Sequence, residues 1–171
     1  MSSVSFSRLE HIVAGYFMLK NYAVFINVPF RTRKGVWSDI DMVAFNNSEL
    51  YIVECKRGSL SKKDLTNEVK RLVDRFNQAE EYLRSTSPYK ELIDKLGLGI
   101  KKLYVAEYIR DEKLLIEKHN IIVRYARNIL CETITLINKM KKEGAYSNQF
   151  IRFMVLLSKE GLLQECKNQP A

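Results

Sequence analysis

The chain has 171 residues, 46% of them apolar and 28% charged, enough for one globular domain with its own core and unlike a disordered composition. Its net charge of +8 and pI near 9.4 point towards nucleic acid or an anionic surface. It has no apolar run of membrane-spanning length and no signal-peptide pattern at the N-terminus, so a cytoplasmic protein without membrane association is expected. Cys55, Cys131 and Cys166 are widely spaced and form no C-x-x-C pair, which argues against a zinc site or a disulfide framework. His11 and His119 are the two histidines, too few to suggest histidine-based catalysis.

Taken in order, Ser7 to Asn21 is predicted as a helix, with Leu9, Ile12, Val13, Tyr16 and Phe17 forming its apolar stripe. Ser7-Arg8-Leu9-Glu10 fits a capping box, in which the glutamate closes back on the cap. A strand follows from Ala23 to Phe30, then the basic loop Arg31-Thr32-Arg33-Lys34-Gly35. That loop is either a solvated hairpin tip or a set of phosphate contacts, and the second reading is preferred because the loop leads straight into a cluster of acids. Trp37, next to it, fits core packing better than base stacking.

From Trp37 to Lys56 the chain reads as two strands joined by a polar turn at Asn46-Asn47-Ser48-Glu49. Alternation places Asp39 and Asp41 on one face of the first strand, and Glu54 and Lys56 on one face of the second. If the strands pair through the turn, two carboxylates and an ammonium converge. Carboxylates are hard ligands for Mg²⁺ or Mn²⁺, and a neighbouring lysine can orient or deprotonate water. Such a site suits phosphodiester hydrolysis. Alternation turns the Cys55 side chain away from the acids, towards core.

After Arg57-Gly58-Ser59-Leu60 a long helix is predicted from about Ser61 to Arg84, with Leu65, Val69, Leu72, Phe76, Ala79 and Leu83 at helical spacing. Lys62, Lys63, Lys70, Arg71 and Arg75 lie on its polar side. With the 31–34 loop and Arg57, the lysines are candidates for nucleic-acid contacts. A short helix from Ser87-Pro88 to Leu96, a strand over Lys102–Ile109, a helix over Asp111–His119 and a strand over Ile121–Tyr125 follow. The tail contributes two amphipathic helices, about Cys131–Lys142 and Gln149–Leu157. Their apolar residues, including Ile134, Ile137, Phe150, Phe153, Met154 and Leu157, either cover the sheet of their own chain or form a homodimer surface.

The D-x12-E-x-K spacing at the ends of adjacent strands resembles the PD-(D/E)XK nuclease superfamily, which includes type II restriction enzymes, archaeal Holliday junction resolvases, Mrr-like enzymes and RecB-type exonucleases. Asp41 matches the motif aspartate, Glu54 and Lys56 match E-x-K, and Ile40 stands in place of the proline. The resemblance runs from about Ser7 to Tyr125. It implies an α/β fold, a restriction-endonuclease-like mixed β-sheet flanked by helices, with the nuclease core expected over 1–128; the tail over 129–171, outside the resemblance, is expected as a C-terminal helical extension. It also implies a Mg²⁺-dependent deoxyribonuclease, with Mn²⁺ as substitute. Asp41, Glu54 and the Cys55 carbonyl would hold the ion, Lys56 would prepare the water, and Asp39 is the rival aspartate.

Resolvase-like members carry a glutamate on the first helix, which Glu10 matches, and Gln78 and Tyr82 are similar to the RecB-type Q-x-x-x-Y motif. The chain lacks the four cysteines of the iron–sulfur exonucleases. Three functions follow: a structure-selective DNA endonuclease, an end-dependent or restriction-like nuclease, and a non-catalytic nucleic-acid-binding protein that keeps the fold. An intact D…E-x-K favours the first two.

Overall fold

The computed structural model describes residues 8–58, 60, 64–109 and 112–140. Helix α1 (Arg8–Leu19) leads into a meander of β1 (Ala23–Arg31), β2 (Trp37–Phe45) and β3 (Glu49–Lys56). Helices α2 (Leu65–Ser85) and α3 (Tyr89–Leu96) carry the chain to β4 (Gly99–Ala106), α4 (Glu112–Glu117) carries it to β5 (Ile121–Tyr125), and α5 (Ala126–Met140) follows. The sheet order is β1-β2-β3-β4-β5, antiparallel among the first three strands and parallel from β3 to β5. A parallel pair needs a crossover, which is why helices interrupt the meander after β3.

The turn between β2 and β3 is held by Asn46, whose Oδ1 accepts the backbone N–H groups of Ser48 (2.9 Å) and Glu49 (3.0 Å). This is the asparagine chemistry that makes such a turn readable in sequence.

Two apolar layers form on the two sheet faces. Val69, Phe76, Ala79 and Leu83 of α2 pack with Ile40, Leu50, Ile52 and Tyr104 on one face. On the other, Leu9, Val13, Tyr16 and Phe17 of α1 pack with Met42, Val53, Leu103, Val105 and Ile129 of α5. Burying each such side chain contributes about 1.5–3 kcal/mol. The result is a mixed α/β sheet flanked by helices with a C-terminal helix, as expected.

Strand β1 changes sides midway. Val24 and Ile26 belong to the α1 layer, whereas Val28 and Phe30 belong to the α2 layer. Unbroken alternation would keep all four on one face. Asn27, with φ of 53°, is the cause, because a left-handed residue rotates the strand about its axis. Asn27 and Asp41 stand between the paired residues Ile26↔Met42 and Val28↔Ile40. Strand β2 changes layer at the same place, with Ile40 on one side and Met42 on the other.

Some boundaries differ from expectation. Strand β4 starts at Gly99 and ends at Ala106, three residues earlier than predicted at each end. Its register with β3, from Glu49↔Gly99 to Lys56↔Ala106, sets both ends. Helix α5 starts directly after β5 and packs on α1. Ile134 and Ile137 are buried, so neither offers a dimer surface. Cys55 is free. Ser7 of the predicted capping box, Lys62, Lys63, and the second tail helix with Phe150, Phe153, Met154 and Leu157 lie outside the described residues.

Candidate active site

The β2–β3 ladder runs from Phe45↔Leu50 to Met42↔Val53 and stops there. On its other side β3 stays paired with β4 as far as Lys56↔Ala106. The two strands therefore part at Asp41, and Asp41 fills the gap itself: its Oδ2 accepts the Cys55 backbone N–H at 2.6 Å. Within a strand the N–H and C=O of one residue point the same way. The Cys55 carbonyl is thereby directed to the same opening.

Glu54 reaches this region from the α2 face and is 5% exposed. Arg75 of α2 approaches it, with Nε 2.9 Å from Oε1. The angle is not that of a hydrogen bond, so the contact is an ion pair alone. The same guanidinium donates through Nη2 to the Asp39 carbonyl.

Burial raises the Asp41 carboxyl above its ordinary value, against the pull of the Cys55 N–H and of Arg75. Burial and then the neighbouring Asp41 push Glu54 up to about 9, and Arg75 opposes this without cancelling it. Two crowded carboxylates with too little positive charge between them retain a proton. A hard divalent cation is the ligand that such a donor set fits best. Among the described residues no group of three acidic, histidine or cysteine side chains gathers. The oxygens that could hold such an ion are those of the two carboxylates and the Cys55 main-chain carbonyl.

Lys56 is exposed and lines a cavity of about 220 Å³ together with Glu54, Glu68, Arg71, Arg75 and Tyr104. Asp39 is exposed. The expectation that it shares a face with Asp41 assumed unbroken alternation, which stops at Asp41. Glu10 lies on α1, the layer that faces Cys55 rather than Glu54, and its charge acts on the Cys55 thiol. Burial first, then Asp41, Glu10 and Glu54, raise that thiol, so Cys55 offers its backbone and not a thiolate.

The basic loop is only partly free. Arg33 pairs with Glu81 and Asp74 of α2, and its backbone N–H is accepted by Gln78 Oε1 at 3.1 Å. Tyr82 meets the Trp37 ring edge-on at 6.3 Å. Gln78 and Tyr82 thus tie the β1–β2 hairpin to α2. Arg31 donates to the Gly35 carbonyl at 3.1 Å within the loop. Lys34, Arg57 and Lys70 are exposed. Arg75, read from sequence as one of several polar-face cations, is the site residue that sequence missed. Its helical spacing alone gave no sign that it turns towards the acids.

A mixed sheet with helices on both faces and D…E-x-K at the parting of two strands defines a nuclease-like domain of the PD-(D/E)XK type. The chain belongs to the nuclease-related domain family, whose model matches residues 7–123. A crystal structure described as that of a protein of unknown function, AF1548, is similar at 17% identity and a TM-score of 0.37, covering 90% of this chain and 96% of that one. No curated protein matches. Among the described residues no helix is long and apolar enough to cross a membrane.

Proposed function

We propose that this protein is a Mg²⁺-dependent DNA nuclease, with Mn²⁺ able to substitute, and that it acts as a structure-selective endonuclease in the manner of Holliday junction resolvases. The observation that carries the reading is the crowding of Asp41 and Glu54 where β2 leaves β3. Asp41, Glu54 and the Cys55 carbonyl would hold the ion, which supplies charge stabilisation at the phosphate and a water acidified for attack. Lys56, at the mouth of the cavity, positions that water or takes its proton. Lys34, Arg57 and Lys70 are exposed cations placed to meet phosphates. Cutting two strands with one such site per chain calls for a symmetric dimer.

The test is a cleavage panel of four-way junction, flap, single-stranded and linear duplex DNA, with Mg²⁺ or with EDTA. Metal-dependent cutting that favours branched DNA supports the proposal. Cutting from ends alone replaces it with an end-dependent nuclease. Equal binding in both conditions with no cutting replaces it with a non-catalytic DNA-binding protein.

A further inference from the structure

We infer that Arg75 is a built-in counter-ion for the Asp41–Glu54 pair, displaced from Glu54 by an incoming divalent cation and thereby freed to grip a DNA phosphate. The inference rests on the metal-site reading above.

Several observations converge on it. The Arg75 guanidinium spans the boundary between buried acid and open cavity: its side chain is 37% exposed, whereas that of Glu54 is 7% exposed. Its Nε lies 2.9 Å from Glu54 Oε1 without a hydrogen bond's alignment. No aligned hydrogen bond secures that contact, and a divalent ion competes directly for the same oxygen. Nη2 rests on a main-chain carbonyl, that of Asp39. Leaving it strands no charge.

Helix α2 itself is fixed by Phe76 and Ala79, both buried, so release requires only rotation of the Arg75 side chain. Arg75 already lines the cavity beside Glu54, together with Arg71 one helical turn earlier, Lys56 and Glu68. Once off Glu54, the guanidinium can turn towards Arg71 and Lys56 in that cavity, and its planar fork suits bidentate contact with an incoming phosphate. A plain structural ion pair would instead stay in place whether or not metal was present.

The experiment titrates the full-length native protein, Arg75→Gln, Arg75→Met and Glu54→Gln with Mn²⁺ in the absence of DNA, following free Mn²⁺ by electron paramagnetic resonance. Circular dichroism checks folding, and Arg75→Met provides an apolar variant of similar reach if the glutamine disturbs packing. Both Arg75 variants should bind Mn²⁺ at least about tenfold tighter than native, the effect of removing one nearby like charge, and Glu54→Gln should lose binding. If neither the native protein nor any Arg75 variant binds Mn²⁺, the metal-site reading itself fails. If native protein binds and both Arg75 variants bind equally or more weakly, the counter-ion inference is overturned and the metal site stands.

The phosphate step is read separately, in a Lys56→Ala background that prevents cutting. With Mn²⁺, adding Arg75→Gln should lower the slope of log affinity against log salt by about one phosphate contact; with EDTA the slopes should coincide. Equal slopes in Mn²⁺ would overturn the phosphate role.

Discussion

The Asp41 carboxylate accepts the Cys55 N–H at 2.6 Å, at the point where a backbone carbonyl of β2 would do so if the ladder continued past Met42↔Val53. A side chain thus completes the strand edge, beside the Glu54 carboxyl that it faces electrostatically. Asp41→Asn keeps an oxygen acceptor for Cys55 and removes the charge. Asp41→Asn, Glu54→Gln and Lys56→Ala should each lower cleavage at least about a hundredfold with unchanged circular dichroism, and Asp39→Asn should be milder. An inactive Asp39→Asn beside an active Asp41→Asn would transfer the aspartate role to Asp39.

The raised Glu54 carboxyl makes metal-free stability depend on pH. Its ordinary value is 4.5 and its native value about 9. Between these the native state holds a proton that the unfolded chain has lost, so stability is full at the acid end of the window and falls as pH rises towards 9. The slope should reach up to about 1.4 kcal/mol per pH unit for one proton. Glu54→Gln should flatten it and raise the metal-free melting temperature at alkaline pH. A melting temperature of native protein that rises steadily across the window would contradict the assignment.

Metal binding should carry the opposite pH dependence, because the ion must expel the shared proton. Mg²⁺ affinity should rise by up to about tenfold per pH unit below pH 9, with proton release measurable by calorimetry in buffers of different ionisation enthalpy. Binding without proton uptake or release would mean that the carboxylates are already ionised.

Within the hairpin tip, Arg33 is already neutralised by Glu81 and Asp74, whereas Lys34 is exposed. Lys34→Ala should lower the salt slope of DNA binding by about one, and Arg33→Ala should change it little. Fluorescence anisotropy across a salt series separates the two. A larger loss for Arg33→Ala would show that DNA displaces its acidic partners.

Asn27 holds the left-handed conformation that lets β1 change layers opposite Asp41. Asn27→Gly should be nearly neutral, and Asn27→Val should cost about 1–2 kcal/mol in urea denaturation. Equal midpoints for the two would remove the backbone argument.

The meander and both β2–β3 acids were legible in sequence because they depend on local signals: the Asn46 turn, the alternation of Leu50, Ile52 and Glu54, and the spacing from Asp41. What escaped depends on partners distant in the chain. The limits of β4 are set by register against β3, which no local pattern encodes. The change of side at Asn27 broke the alternation used to pair Asp39 with Asp41, and only a backbone angle reveals it. Arg75 looked like any cation on a polar helix face, and the approach of α2 to the sheet decides which one turns inward.

Among the described residues strand β1 is the outermost of its side of the sheet, and an outermost strand invites foreign strands to add to it. Two of its nine residues spoil that invitation. Pro29 has no N–H to donate, and Asn27 bends the strand out of the extended form an incoming chain would need to match. The far side ends in β5, only five residues long. The residue that opens a place for Asp41 therefore also guards the protein against aggregation, so variants that straighten β1 should form fibrils or precipitate more readily as well as losing activity.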